Sequence, residues 1–190
     1  MTRLLRFTLC SLAIAAAASL ASAAQSEGLP PEWEIRKNLQ ELAAQMKRFQ
    51  PLLDSFDTNI WKQHGAPDAY AAQLTAAKSQ ITYLADAAER LARQPEQLAV
   101  ALETSFRLQA LETGVGSLTD AVRKYQNAAI AELVQAQMTE SAPQRDKLRS
   151  YVVALAAAKE QQLAIANEEA QRCRAVLSRQ PPAVKKQERK

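Results

Sequence analysis

Between Ile35 and Ile60 the chain places Leu39, Leu42, Met46, Phe49, Leu53 and Phe56 at alternating steps of four and three. Only a helix gathers residues so spaced onto one stripe, and a stripe that apolar has to be covered by other helices. Burying each such side chain is worth about 1.5–3 kcal/mol of gross transfer free energy. The spacing recurs along the chain. A second helix over 67–93 carries Tyr70, Leu74, Ala77, Ile81, Leu84, Ala88 and Leu91; a third, from about Glu96, carries Leu108, Leu111, Val115, Leu118, Val122, Tyr125 and Ala129. In a last helix Leu148, Val152, Leu155, Leu163, Ala166, Ala170, Cys173 and Leu177 are expected to face inward.

Turn chemistry divides these helices. Pro30-Pro31 with Glu32 and Glu34 suits a helix start, since proline fits the first turn and acids fit the positive end of the dipole. That helix is expected to run to about Lys62, kinked but unbroken at Pro51, because Phe49, Leu53 and Phe56 keep phase across it. His64-Gly65-Ala66-Pro67 and Gln94-Pro95-Glu96 are turns. The third helix is expected to continue through Gly114 and Gly116, with close packing or a bend as the reason for the glycines. The alternative is a new helix capped by Ser117 with Asp120. The phase slips near Asn127, which implies an interruption and a short helix to about Thr139. Ser141 with Gln144 forms a capping-box pattern opening the last helix, which would reach about Arg179, some 55 Å at 1.5 Å per residue. Strand-like alternation is absent. The fold expected over 31–180 is therefore all-α: an elongated antiparallel bundle of about four long amphipathic helices with coiled-coil-like packing.

Outside that domain, Arg3 and Arg6, the apolar run Leu9 to Leu20 and Ala21-Ser22-Ala23 have the form of a cleaved signal peptide over 1–23. Phe7-Thr8-Leu9 before Cys10 lacks the small residues that lipidation requires. Residues 24–30 form a leader expected to be disordered, and 181–190 a disordered basic tail holding Lys185, Lys186, Arg189 and Lys190. The formal charge of +4 loses Arg3 and Arg6 with the signal, and the tail holds what is left. A near-neutral body has no electrostatic support for nucleic-acid binding, and no later apolar run is long enough for a membrane span. Export to the periplasm or beyond follows.

Catalytic chemistry finds little to use. His64 is the only histidine, which removes two-histidine metal sites and the Glu-x-x-His pairs of di-metal bundles. No cofactor is expected. The one haem arrangement open on residue type sets His64 with Met46 or Met138, and Met46 is better explained by the core. Cys173 loses Cys10 with the signal; it is either a buried thiol on the inward stripe or the site of an interchain disulfide. Trp33 and Trp61 both fall beside the apolar stripe. They are either exposed anchors for a protein partner or plugs for the two ends of the bundle. The tail would act as a solubilising end or touch an anionic surface.

These features point to an exported, non-enzymatic protein that works by binding another protein, as an assembly subunit or adaptor. The alternative is a holdase-type chaperone whose apolar groove is lined by Trp33, Trp61, Tyr83, Phe106 and Val153. Closure of the bundle within one chain and closure by homodimerisation are both consistent with the pattern.

Overall fold

The computed structural model describes residues 29–179. The signal segment 1–23, leader residues 24–28 and the tail 181–190 lie outside the described residues. Seven helices follow in order: α1 (Glu32–Lys47), α2 (Phe49–Asp54), α3 (Thr58–Gln63), α4 (Ala69–Arg93), α5 (Leu98–Tyr125), α6 (Ala128–Glu140) and α7 (Ala142–Arg179). Among the described residues there is no strand. α1–α3 make the first leg, α4 and α5 the next two, and α6 with the start of α7 the fourth. α1 lies against α4 and α7, α4 against α5, and α5 against α6 and α7. The result is an elongated antiparallel all-α bundle of about four legs, with Leu39, Leu84, Leu118 and Leu155 each buried between them.

The first leg breaks where a kink was expected. Pro51 has no N–H to give the Lys47 carbonyl and its ring crowds that carbonyl, so α1 ends at Lys47. Arg48 stays helical, giving its own N–H to Gln45 and Met46. A second break follows at Ser55–Asp57. Asp57 turns extended, and its carboxylate accepts the N–H groups of Asn59 and Ile60 to cap α3. This shifts the phase of the stripe by one residue: Ile60 turns outward and Trp61 turns into the core.

α5 runs unbroken through Gly114 and Gly116, as continuity of its stripe predicts. Close packing does not explain the glycines, because a Cβ at either position would meet nothing within 4 Å. Gly65 differs: it closes α3 at φ 85°, a backbone that side chains resist. At the next interruption Asn127 caps α6, its side chain accepting from the Ala129 N–H at 2.8 Å. The capping box expected at Ser141 does not form. Ser141 stays helical and its hydroxyl donates back to the Met138 carbonyl at 3.1 Å. The break there belongs to Pro143, which has no N–H for the Thr139 carbonyl.

α7 overruns the bundle. α5 has 28 residues, about 42 Å of helix, and the fourth leg has already matched it when the chain reaches Leu155. α7 buries Leu148, Tyr151, Val152 and Leu155, and then residues 160–179 are exposed without exception. Leu163, Ala166, Ala170, Cys173 and Leu177, expected to face a core, face solvent instead. The other legs end at this level. Tyr151, beside Leu155, donates its hydroxyl to the Pro95 carbonyl in the α4–α5 turn, and α1 only begins at Glu32.

Helix propensity and backbone strain set two opposite expectations. Gly114→Ala and Gly116→Ala should each stabilise the protein by about 0.5–1 kcal/mol, since open space awaits the methyl group. Gly65→Ala should destabilise it by about 1–2 kcal/mol through its positive φ. Urea unfolding midpoints measure all three, and a destabilised Gly114→Ala would contradict the open packing.

Candidate functional site

Trp61 is fully buried, so it is no exposed anchor. It plugs the end of the bundle where α3, the start of α4 and the end of α5 converge. Its ring lies 5.6 Å from Phe56 and 5.8 Å, edge-on, from Tyr70, which in turn lies 6.2 Å from Tyr125. Gln126 ties this end together: its carbonyl accepts from Trp61 Nε1 at 2.7 Å and from the Asp57 N–H at 2.9 Å, and its amide donates to Ser55. The break in the first leg is thus held by one side chain from α5's C-cap. His64 belongs to the same closure. Its Nδ1 donates to the Tyr125 carbonyl at 2.6 Å, a structural bond joining α3 to α5. Met46 is core, as its stripe position implies, and Met138 is half-buried against it.

Trp33 stands 67% exposed on α1, near the opposite end. It borders a shallow depression with Lys37, Asn38, Glu41 and Lys147. Beside that depression a cleft of about 410 Å³ opens between α1 and α7, lined by Ile35, Asn38, Pro143, Lys147 and Tyr151 among others. Asn38 is buried there, with its amide donating to the Gln144 carbonyl at 3.1 Å and its own oxygen unpaired. Phe106 belongs to a separate shelf on α5, with Leu102, Arg107 and Gln80. Arg107 also covers the Tyr83 ring at 5.4 Å. Trp33, Tyr83, Phe106 and Val153 are all exposed and Trp61 is buried. Of the side chains expected to line one apolar groove, Tyr83 and Phe106 both meet Arg107, whereas Trp33 borders a different depression.

Charged groups mostly tie legs together. Glu32–Arg36 at 2.6 Å, Glu168–Arg172 at 3.5 Å and Asp120–Arg123 at 3.2 Å form within their helices. Arg90 reaches across from α4 to Glu103 of α5 at 2.8 Å, and Glu89 of α4 takes Lys47 of α1 at 3.7 Å. Glu112 receives both Arg145 and Arg149 from α7. The hydrogen bonds from Arg107 and Arg90 hold the Glu103 carboxyl below its ordinary range. Among the described residues no group of three metal-ligating side chains comes together, and no helix is long and apolar enough to cross a membrane.

A long exposed apolar feature is the arm, residues 160–179 of α7. Leu163 is 62% and Leu177 66% exposed, and with Ala166, Ala170 and Cys173 they repeat the four-three spacing of a coiled-coil seam on a stretch of helix that no other described element covers. Cys173 is therefore an accessible thiol and not a buried one. No family model, curated protein or solved structure matches the chain, so the arm is read from its own residues. The sequence carries the signal in the short helix before it: α6 takes up the first half of the fourth leg, so most of a last helix of 38 residues has no leg left to lie against.

The two tryptophans give one test. Trp61→Ala should cost about 3–5 kcal/mol of unfolding free energy and Trp33→Ala less than about 0.5 kcal/mol. A thermal or urea melt of each variant measures this. Glu103 gives a pH test. Its folded pKa lies below the ordinary 4.5, so its contribution is present above that value and is lost as pH falls through the lowered one. Glu103→Gln should flatten the acid limb of the stability curve below about pH 4.5, and an unchanged limb would remove Glu103 from the acid response.

Proposed function

We propose that this chain is an exported, non-enzymatic helical-bundle protein of the cell envelope that acts by binding protein, as an assembly subunit or adaptor. The observation that carries the reading is the arm: a helix that keeps an apolar seam for about 30 Å past the end of its own bundle. Helices in proteins gain most of their stability from packing of an apolar face and are marginal alone, so this seam makes sense against another helix. Support for export is the n-region, apolar run and small-x-small pattern of residues 1–23. Binding of protein and not of nucleic acid suits the near-neutral body. The holdase alternative draws on the exposed Trp33, Tyr83, Phe106 and Val153, but Trp33 and Phe106 border different depressions.

A photo-crosslinking amino acid at Leu163, Ala170 or Leu177, introduced in living cells, tests the reading. Discrete adducts of defined mass are expected at all three positions and none at Leu133, an exposed leucine of α6 away from the arm. A smear of many masses would favour the holdase. No adduct at any arm position would overturn the proposal.

A further inference from the structure

We infer that the arm's partner is the arm of a second copy of this chain, laid antiparallel along it, so that each arm fills the space beneath the other copy's bundle. The inference rests on the reading of the arm as a binding element and names its occupant. Three observations lead to it.

The first is direction. At 100° per residue, Leu163, Ala166, Ala170, Cys173 and Leu177 point on average within about 40° of the face on which α7 buries Leu148, Val152 and Leu155. α1 and α5 occupy that side of α7 along the bundle. A parallel partner on the arm would carry its own bundle into the same space as theirs. An antiparallel partner meets no such obstacle, because its bundle lies at the far end of the arm.

The second is length. Sliding two antiparallel arms together until the tip of one meets the end of the other's bundle sets Arg179 against residue 157 of the copy. In that register Leu163 faces Cys173, and Ala166 faces Ala170, each pair occurring twice by symmetry. A leucine opposite a small thiol on each side of a centre of alanines gives close helix axes, and beyond them Leu177 lies against the apolar stem of Lys159 of the copy. One heptad further in, the tip would run into residues already packed on α1 and α5. One heptad further out, Ala166 would face Leu177 and Ala170 would face Cys173, so the choice between these two registers falls to charge.

The third is charge. The same register brings Glu160 beside Arg174 of the copy, twice, on one flank of the seam, against a single like-charge contact of Glu169 with its own copy on the other flank. Shifting outward by a heptad sets Arg174 against Asn167 and removes both pairs. Both residues are exposed in the single chain. Glu168 already pairs with Arg172 within the arm, which leaves Arg174 for the copy.

The arrangement separates Cys173 from its own copy and sets it against Leu163. An interchain disulfide at Cys173 is therefore not what holds this pair, although the thiol supplies a ruler for it.

The experiment uses protein purified after expression of the full 190-residue sequence. Sedimentation equilibrium at tens of micromolar should give about twice the chain mass, and Leu163→Asp with Leu177→Asp should give a monomer whose thermal midpoint is unchanged. Arg174→Glu and Glu160→Arg should each weaken the dimer roughly tenfold by turning two attractive pairs repulsive, and the two together should restore it. With oxidised glutathione as oxidant, Leu163→Cys in the presence of native Cys173 should form a covalent dimer. Two thiols there become one disulfide, and the glutathione disulfide is reduced to two glutathione thiols. The unsubstituted chain should give no disulfide dimer. A monomer at these concentrations, a dimer indifferent to the arm substitutions, or a ready Cys173–Cys173 disulfide would overturn the inference. In-cell adducts at Leu163 with a different protein, from a chain monomeric in solution, would leave the proposed function standing while this pairing falls. A dimer in solution with no adduct in cells would do the reverse.

Discussion

A helical leg can bury its seam only over the length it shares with its neighbours. In this protein α5 sets that length at one end through Tyr125 and Gln126 and at the other through the turn at Pro95. Everything inside those limits is core, and everything beyond them is surface whatever its residue type. Leu155 and Leu163 lie two turns apart on one continuous helix with similar chemistry. One is wholly buried and the other mostly exposed because α1, α4 and α5 stop between them.

The two ends of the bundle are closed by different means. At the Trp61 end an aromatic cluster is fixed by hydrogen bonds from Gln126, which compensates the backbone broken at Ser55–Asp57. Trp61 buries the largest side chain in the core while its indole N–H keeps a partner, so burial carries no unpaired donor. At the other end closure relies on Tyr151, whose phenol reaches the Pro95 carbonyl and whose ionisation burial disfavours. Between them Glu112 ties α5 to α7 through Arg145 and Arg149. The fourth leg is thereby anchored immediately before it leaves the bundle, which gives the arm a rigid base.

Much of this was legible in residue spacing. The four-three pattern located the legs, proline and glycine located the first two turns between them, and the slip near Asn127 marked the third, at the start of α6. Errors arose where one backbone feature altered what a pattern implies. Pro51 was expected to bend the first helix because Phe49 and Leu53 stay in phase, and both are indeed buried. The interruption that changed the outcome came later, at Asp57, where a side-chain cap offered the chain a way out of the helix that periodicity does not register. Ser141 shows the opposite case: its pattern promised a cap, and a helical backbone carried the chain past it. The basis for function was fainter still. Trp33 and Trp61 looked equivalent, and only the shift at Asp57 separates a surface residue from a plug.

By itself the amino-acid sequence determined that the chain is helical, how many legs it has and which side chains share a stripe, because these follow from local periodicity and turn chemistry. Only the tertiary structure decided which stripes are covered: that Trp61 is inside and Ile60 outside, and that the seam from Leu163 to Leu177 stands free. The reason is geometric. Periodicity records the direction in which a side chain points, whereas burial depends on whether another element lies in that direction, and this is fixed by where the other legs begin and end.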